Sequence, residues 1–309
     1  ASGAELLVVK LKQSKQYLRD FFLIKDDVPA FEESDIMLAL RFLEDYAIRL
    51  GKPLIIIFGL GSANGSRTGA SPLAEMMENL TKKPNISVIT CMGNEANNKC
   101  HYKGTVMSAL VPDVMEINVD GTGKGFTMEI WADSLDILSV SIESPSGEYV
   151  PRIPARMGAS MEYTFLYEGS TVTVDYQITE NVAGMEVIFV RLKTPVEGTW
   201  KFYIYSLTNI KGSYNAWLPL KQFSGQDIYF LKSDPDTTLT VPAAADGVIS
   251  VGAYNHYTGA AYYESGRGYS ADGRIKPDFV APGAGVYGIA PSGGIKVTGT
   301  SYAAAYAGG

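Results

Sequence analysis

Short apolar runs alternate with amphipathic stretches over the first hundred residues. Leu6 to Val9 is a continuous apolar run, which predicts a strand covered on both faces. From Ser34 onward, Ile36, Leu40, Leu43, Ala47 and Leu50 recur at helical spacing, with Ser34 placed as an N-cap and Gly51 and Pro53 as the stop. "PLIIIFG" predicts a second buried strand, Pro72 to Leu80 a second helix, and "NISVITC", Asn85 to Cys91, a third strand. Strands alternating with helices predict an α/β fold with a doubly wound, mostly parallel sheet. Functional groups of such sheets sit beyond the carboxyl ends of the strands, here Gly59 to Gly65 and Gly93 to Asn98.

The pattern changes after about Gly104. "FTMEIWA", "ILSVSIESPSG", "TVTVDYQIT", "GMEVIFVRL" and "GTWKFYIYSL" are short, β-branched and aromatic, nearly alternating, and separated by turn residues. They predict an antiparallel sandwich or jelly roll inserted into the α/β domain. Apolar strands and Gly-rich turns return at "DPDTTLTVPAAADGVISVGAYN". The expected division is a first α/β part over 1–104, the inserted β unit over 105–240, and a second α/β part over 241–309. Trp131, Trp200 and Trp217 are expected in the core rather than on a carbohydrate platform, and "VPRIPARMG", Val150 to Gly158, in a solvated loop.

Composition narrows the function classes. With 309 residues, 46% of them hydrophobic, the chain can bury a large core. A net charge of −7 and no Lys/Arg run argue against nucleic acid as a partner. No apolar run approaches the roughly 20 residues of a membrane-spanning helix. Cys91 and Cys100 are expected to be free thiols.

The chemistry gathers near the C-terminal end. Taken alone, the Gly-Thr-Ser-x-Ala of "GTSYAAAYAGG" reads as a helix cap. It gains weight from the order of the segments before it: "CMGNEANN" (91–98), "VPAAADGVISVGAYN" (241–255) and "GRIKPDFVAPG" (273–283). With these, the sequence resembles the subtilisin-like serine peptidases (subtilases, peptidase family S8). The inserted β unit and "SGRGYSADGRIKPDFVAPG" most resemble the clostridial Csp-like members that carry a jelly-roll insertion.

The resemblance implies a serine endopeptidase with Ser301 as nucleophile. A Ser at a helix N-terminus has amides and the helix dipole beside it to favour negative charge. Asn94 is implied as the oxyanion donor, and Ile57, Phe58 and Gly59 as one wall of the primary specificity pocket, opposite Met92 and Gly93. His101 and His256 lack the family's His-Gly-x-His surroundings and read as structural or surface residues; Asp278 reads as a structural hydrogen-bonding residue. In the family's Asp, His, Ser order the missing two belong before Ala1, so the chain is expected to be a fragment, inactive by itself and partnered by the N-terminal part of the same protein. The alternative is a pseudoprotease that binds or signals in spore germination. No cofactor is implied. Structural calcium is common in the family, but no Asp-rich loop with EF-hand-like spacing occurs. The implied partner is a peptide or protein substrate, and the implied source is a bacterial protein, secreted or spore-associated.

Overall fold

The computed structural model describes residues 3–121, 123–133, 135–178, 184–224 and 227–309. In chain order its elements begin with α1 (Gln16–Phe21), α2 (Glu33–Leu50), β1 (Leu54–Phe58), α3 (Pro72–Thr81) and β2 (Ile86–Cys91). There follow β3 (His101–Thr105), β4 (Asp113–Asp120), β5 (Gly125–Asp133), β6 (Leu138–Glu143), β7 (Tyr149–Ile153), β8 (Ser160–Thr164) and β9 (Thr171–Ile178). Next come β10 (Met185–Lys193), β11 (Gly198–Ser206), β12 (Ser213–Trp217) and β13 (Asp227–Phe230). The last are β14 (Ile249–Tyr254), β15 (Phe279–Pro282), β16 (Val286–Ala290), β17 (Gly293–Val297) and α4 (Thr300–Gly308). The chain divides into two compact units, one of residues 1–15, 29–97 and 236–309 and the other of residues 16–28 and 98–235.

The first unit is built on a parallel sheet ordered β1-β2-β14-β15. Ile56, Phe58 and Val88 on one face share a core with Leu40 of α2 and Leu73, Ala74 and Met77 of α3. Ile89, Cys91, Val251 and Ala253 share another with Ala303 and Ala304 of α4. The helix predicted from Ser34 begins one residue earlier, at Glu33, and Glu32 rather than Ser34 holds the N-cap position, without a side-chain cap bond. Its stop is as expected: Gly51 is left-handed at φ 62°, and the Gly51 and Lys52 amides return to Ile48 and Ala47. In α3 the Ser71 hydroxyl accepts the Ala74 amide at 3.1 Å.

The expected strand at Leu6–Val9 is absent. The segment is irregular, with Leu6 91% and Val8 83% exposed. A four-residue apolar run carries no period, so it records hydrophobicity but not the surface needed to cover it. β1, expected to be buried on both faces, alternates instead, with Ile55 and Ile57 exposed.

The second unit holds two antiparallel sheets, ordered β3-β12-β5-β10-β9-β8 and β13-β4-β11-β6-β7. Inward residues of both, among them Ile117, Phe126, Ile188, Phe202 and Trp200, form one core cluster. Trp200 is fully buried, meets Phe165 edge to face at 5.0 Å and donates to the Val196 carbonyl at 3.1 Å. Burying a side chain of that size contributes on the order of 4 kcal/mol. Trp217 is also buried, while Trp131 is half-buried and donates to Glu129. Val150–Ile153, expected in a solvated loop, lie in strand β7. Arg152 there stacks over the Tyr205 ring and donates to the Ser139 hydroxyl at 2.6 Å; these two contacts order a side chain that a polar sequence suggests is free.

Residues 16–28 belong to this unit through Phe21 and Phe22, next to a turn that Arg19 closes. The Arg19 guanidinium donates to the carbonyls of Lys25, Asp26 and Val28, closing the turn after α1. Phe21 and Phe22 then meet Phe189 of β10 at ring distances of 5.7 and 6.1 Å, and Arg191 covers Phe21.

Glu186 in β10 gives this unit a pH dependence. It is 1% exposed, and one carboxyl oxygen accepts the Leu138 amide at 2.8 Å while the other has no partner among the described residues. Burial, aided by the nearby Asp136 charge and opposed by the Leu138 amide, pushes its carboxyl from the ordinary 4.5 up to about 7. A folded-state value above the unfolded one means that the folded chain holds the extra proton. Stability is therefore full below about pH 4.5 and declines as the pH rises through about 7, with a total loss of about 3 kcal/mol. Glu186→Gln should flatten this decline in denaturation midpoints measured from about pH 5 to 8; a slope identical to the parent chain's would assign the dependence to other groups.

Candidate active site

The start of α4 and the ends of β1 and β2 converge on Ser301. Its hydroxyl donates to the Gly59 carbonyl, just past β1, at 2.6 Å. Three residues past β2, the Asn94 side-chain oxygen accepts from both the amide (2.9 Å) and the hydroxyl (3.2 Å) of Thr300. Both bonds engage the oxygen of the Asn94 side chain, and the NH₂ group is the donor half of the same carboxamide. Gly299, with φ 147°, starts the helix. A Cβ there would lie 3.4 Å from the Asn94 amide nitrogen, so glycine allows both the backbone angle and the approach of Asn94. Tyr302 and Ala303 return their amides to the Gly299 carbonyl, and the Ser301 amide, second in the helix, has no intrahelical acceptor. A serine oxygen, a carboxamide NH₂ and a helix-terminal amide therefore stand together, the parts needed to hold an oxyanion formed at Ser301.

The remaining candidate residues are distributed as follows. Gly59 is in direct contact with Ser301, and Met92 and Gly93 are buried beside Asn94. Phe58 points into the core under α2 and α3, and Ile57 lies against Gly308 at the far end of α4. These two side chains support the strand, and its backbone is what reaches Ser301. Asp278 accepts the amide and the hydroxyl of Ser250, each at 2.7 Å, and Lys276 at 2.9 Å. Burial pushes its carboxyl up, but these donors outweigh burial and hold it below the ordinary range while tying β15 to β14.

The ring nitrogens of His101 are taken by the Asn215 side chain (2.9 Å) and the Asp234 carbonyl (3.2 Å), and the ring stacks on Trp217. His256 is exposed beside Tyr257. Among the described residues no group of three or more His, Cys, Asp or Glu side chains is placed to hold a metal ion, and no helix is long and apolar enough to cross a membrane.

Two neighbours of Ser301 were not singled out from sequence. Thr300 orients Asn94, a role that only its place in the Gly-Thr-Ser triplet could have hinted at. Cys91 is buried at the end of β2 with its thiol 3.5 Å from the Leu60 carbonyl. Burial pushes that thiol up, partly countered by the Ser301 hydroxyl, so it stays protonated near neutral pH. Cys100 is also buried, and neither cysteine is in a disulfide.

A model of the subtilase family, Peptidase_S8, matches residues 197–309, which include the nucleophile segment. None of the curated proteins matches the chain. Among solved structures, that of the CspB protease of Clostridium perfringens is similar at 25% identity with a TM-score of 0.81, over 93% of this chain and 61% of that one. The chain thus spans about three fifths of that protease. The family match covers the nucleophile segment and the structural likeness nearly the whole chain; both are similarities to subtilisin-like peptidases of family S8, the second to a Csp protease.

Proposed function

We propose that the protein containing this chain is a serine endopeptidase of the subtilisin type. The observation that carries the reading is the convergence of Ser301, Asn94 and the start of α4. In this reading the Ser301 oxygen attacks the scissile carbonyl, the carbonyl oxygen becomes an oxyanion held by the Asn94 NH₂ and the Ser301 amide, and the amine leaves to give an acyl-enzyme that water hydrolyses. The serine proton needs a base. The His101 nitrogens are engaged elsewhere, His256 sits beside Tyr257, and the Ser301 hydroxyl is held by a backbone carbonyl. We therefore assign the base and its orienting carboxylate to residues outside this chain, contributed by the rest of the same protein. The jelly-roll connectivity of the inserted strands is part of the same proposal.

Labelling of the full-length protein with a fluorophosphonate probe, followed by peptide mapping, tests the reading. Modification at Ser301 is expected; a folded protein that stays unlabelled would favour a binding or signalling role instead. Asn94→Ala should lower turnover by about 10²–10³ with a much smaller change in KM, the range seen when a subtilisin oxyanion-hole Asn is removed. Unchanged turnover would remove Asn94 from the oxyanion hole.

A further inference from the structure

We propose that one end of the β unit is a self-association surface, through which two copies of this protein pair about a two-fold axis; the inference does not depend on the peptidase reading of Ser301. Three loops meet at that end: residues 106–112 between β3 and β4, the turn through Asp136 before β6, and residues 207–212 between β11 and β12. The loop over 207–212 is bonded to both of the others. Its Gly212 carbonyl accepts the Val106 amide at 2.8 Å, its Leu207 amide donates to the Ile137 carbonyl at 2.9 Å, and its Thr208 hydroxyl donates to the Leu135 carbonyl at 2.6 Å.

These loops turn large apolar side chains to solvent. Met107, Leu110, Val111, Leu135, Leu207 and Ile210 are between 52% and 90% exposed. The backbone under them is fixed. The Asp136 carboxylate holds the amides of Ile210, Lys211 and Gly212, and Ser108 closes the turn beneath Leu110, its hydroxyl accepting the Leu110 amide at 3.2 Å and its carbonyl the Val111 amide at 3.3 Å. A surface already held by its own bonds loses little conformational freedom when it is covered. The six side chains present about 600 Å² of apolar surface, at the top of the range of roughly 300–600 Å² for the largest patch on an ordinary monomer. With the polar residues around them the area comes to about the 800 Å² per partner of a standard stable interface.

Charge argues that the covering surface is a second copy. At a net charge of −7 two copies repel over most of their surface. At this end, however, Lys211 is paired with Asp133, and the Asp113 carboxylate is engaged by the buried Tyr102 and Tyr214 hydroxyls. An apolar centre whose charged neighbours are already engaged can be laid on its own image without like charges meeting, as a two-fold contact requires. The same net charge works against an anionic lipid surface.

Analytical ultracentrifugation of the full-length protein tests the proposal. The protein should sediment at twice its own mass, with a dissociation constant of about 10 µM or tighter. Leu110→Glu and Ile210→Glu should each weaken the pairing by about 10²-fold or more, because a substitution occurs twice in a two-fold contact and brings a charge into its apolar centre. Both positions are exposed, so thermal melting of the variants should match that of the parent. A parent that stays monomeric at about 100 µM, or a dimer that neither variant weakens, would overturn the proposal. So would a monomer that binds phosphatidylcholine vesicles and is released by the same substitutions, which would assign the loops to a lipid surface instead.

Discussion

Ser301→Ala in the full-length protein is expected to abolish fluorophosphonate labelling and to lower peptide cleavage by about 10⁶, which is about 8 kcal/mol of transition-state stabilisation. The effect is large because the covalent step has no substitute. On the proposed mechanism the Asn94 NH₂ and the Ser301 amide would still hold a carbonyl oxygen, but no oxygen would remain to attack the carbonyl carbon. Folding should be nearly unaffected. The change removes one hydroxyl from a half-buried position and breaks one bond, to the Gly59 carbonyl, at a cost of about 1 kcal/mol. Circular dichroism and thermal melting of the variant check the fold, and peptide turnover checks the chemistry. Cleavage retained near the parent rate would mean that another residue is the nucleophile and that the contacts around α4 are only structural.

Ser301 and Asn94 could be read from sequence because their segments are short, occur in a fixed order and have backbones that depend on glycine, at Gly93 and Gly299. Elements with a clear period could be read equally well. The alternation in "GTWKFYIYSL" gives β11 its inward Trp200, Phe202 and Ile204, and the spacing of Leu40 and Ala47 gives α2 its buried face. The failures share a physical cause. Leu6–Val9 has hydrophobicity without period, and β7 contains Pro151 and Arg152, which suit an edge strand as well as a loop. α1 stands on Arg19 reaching three carbonyls, a contact that no residue pattern announces. Thr240 is the clearest case: in sequence it is one apolar-flanked threonine, and its place between Gly61 and Gly93 exists only once three distant segments meet.

The second large effect belongs to Asp136, in the turn before β6. It is fully buried, and its carboxylate accepts the consecutive amides of Ile210, Lys211 and Gly212 at 2.6, 2.8 and 2.6 Å. Three successive N–H groups converging on one carboxylate form a nest for negative charge, and such bonds are roughly twice as strong as neutral ones. Asp136→Ala removes the acceptor and leaves all three amides to find water or go unsatisfied, so it should destabilise the β unit by about 5 kcal/mol in chemical denaturation of the chain. Asp136→Asn, with one oxygen kept and the charge gone, should cost less than the alanine change. The neighbouring pair of Lys211 and Asp133 lies at the surface and contributes little by comparison. Losing Asp136 also removes a charge that helps raise the Glu186 carboxyl, so the decline in stability toward neutral pH should be smaller and end at lower pH in the variant. A loss under about 1 kcal/mol for Asp136→Ala would mean that solvent enters the turn and replaces the carboxylate at no great cost, and that the loop from Leu207 to Gly212 is held by its flanking strands instead.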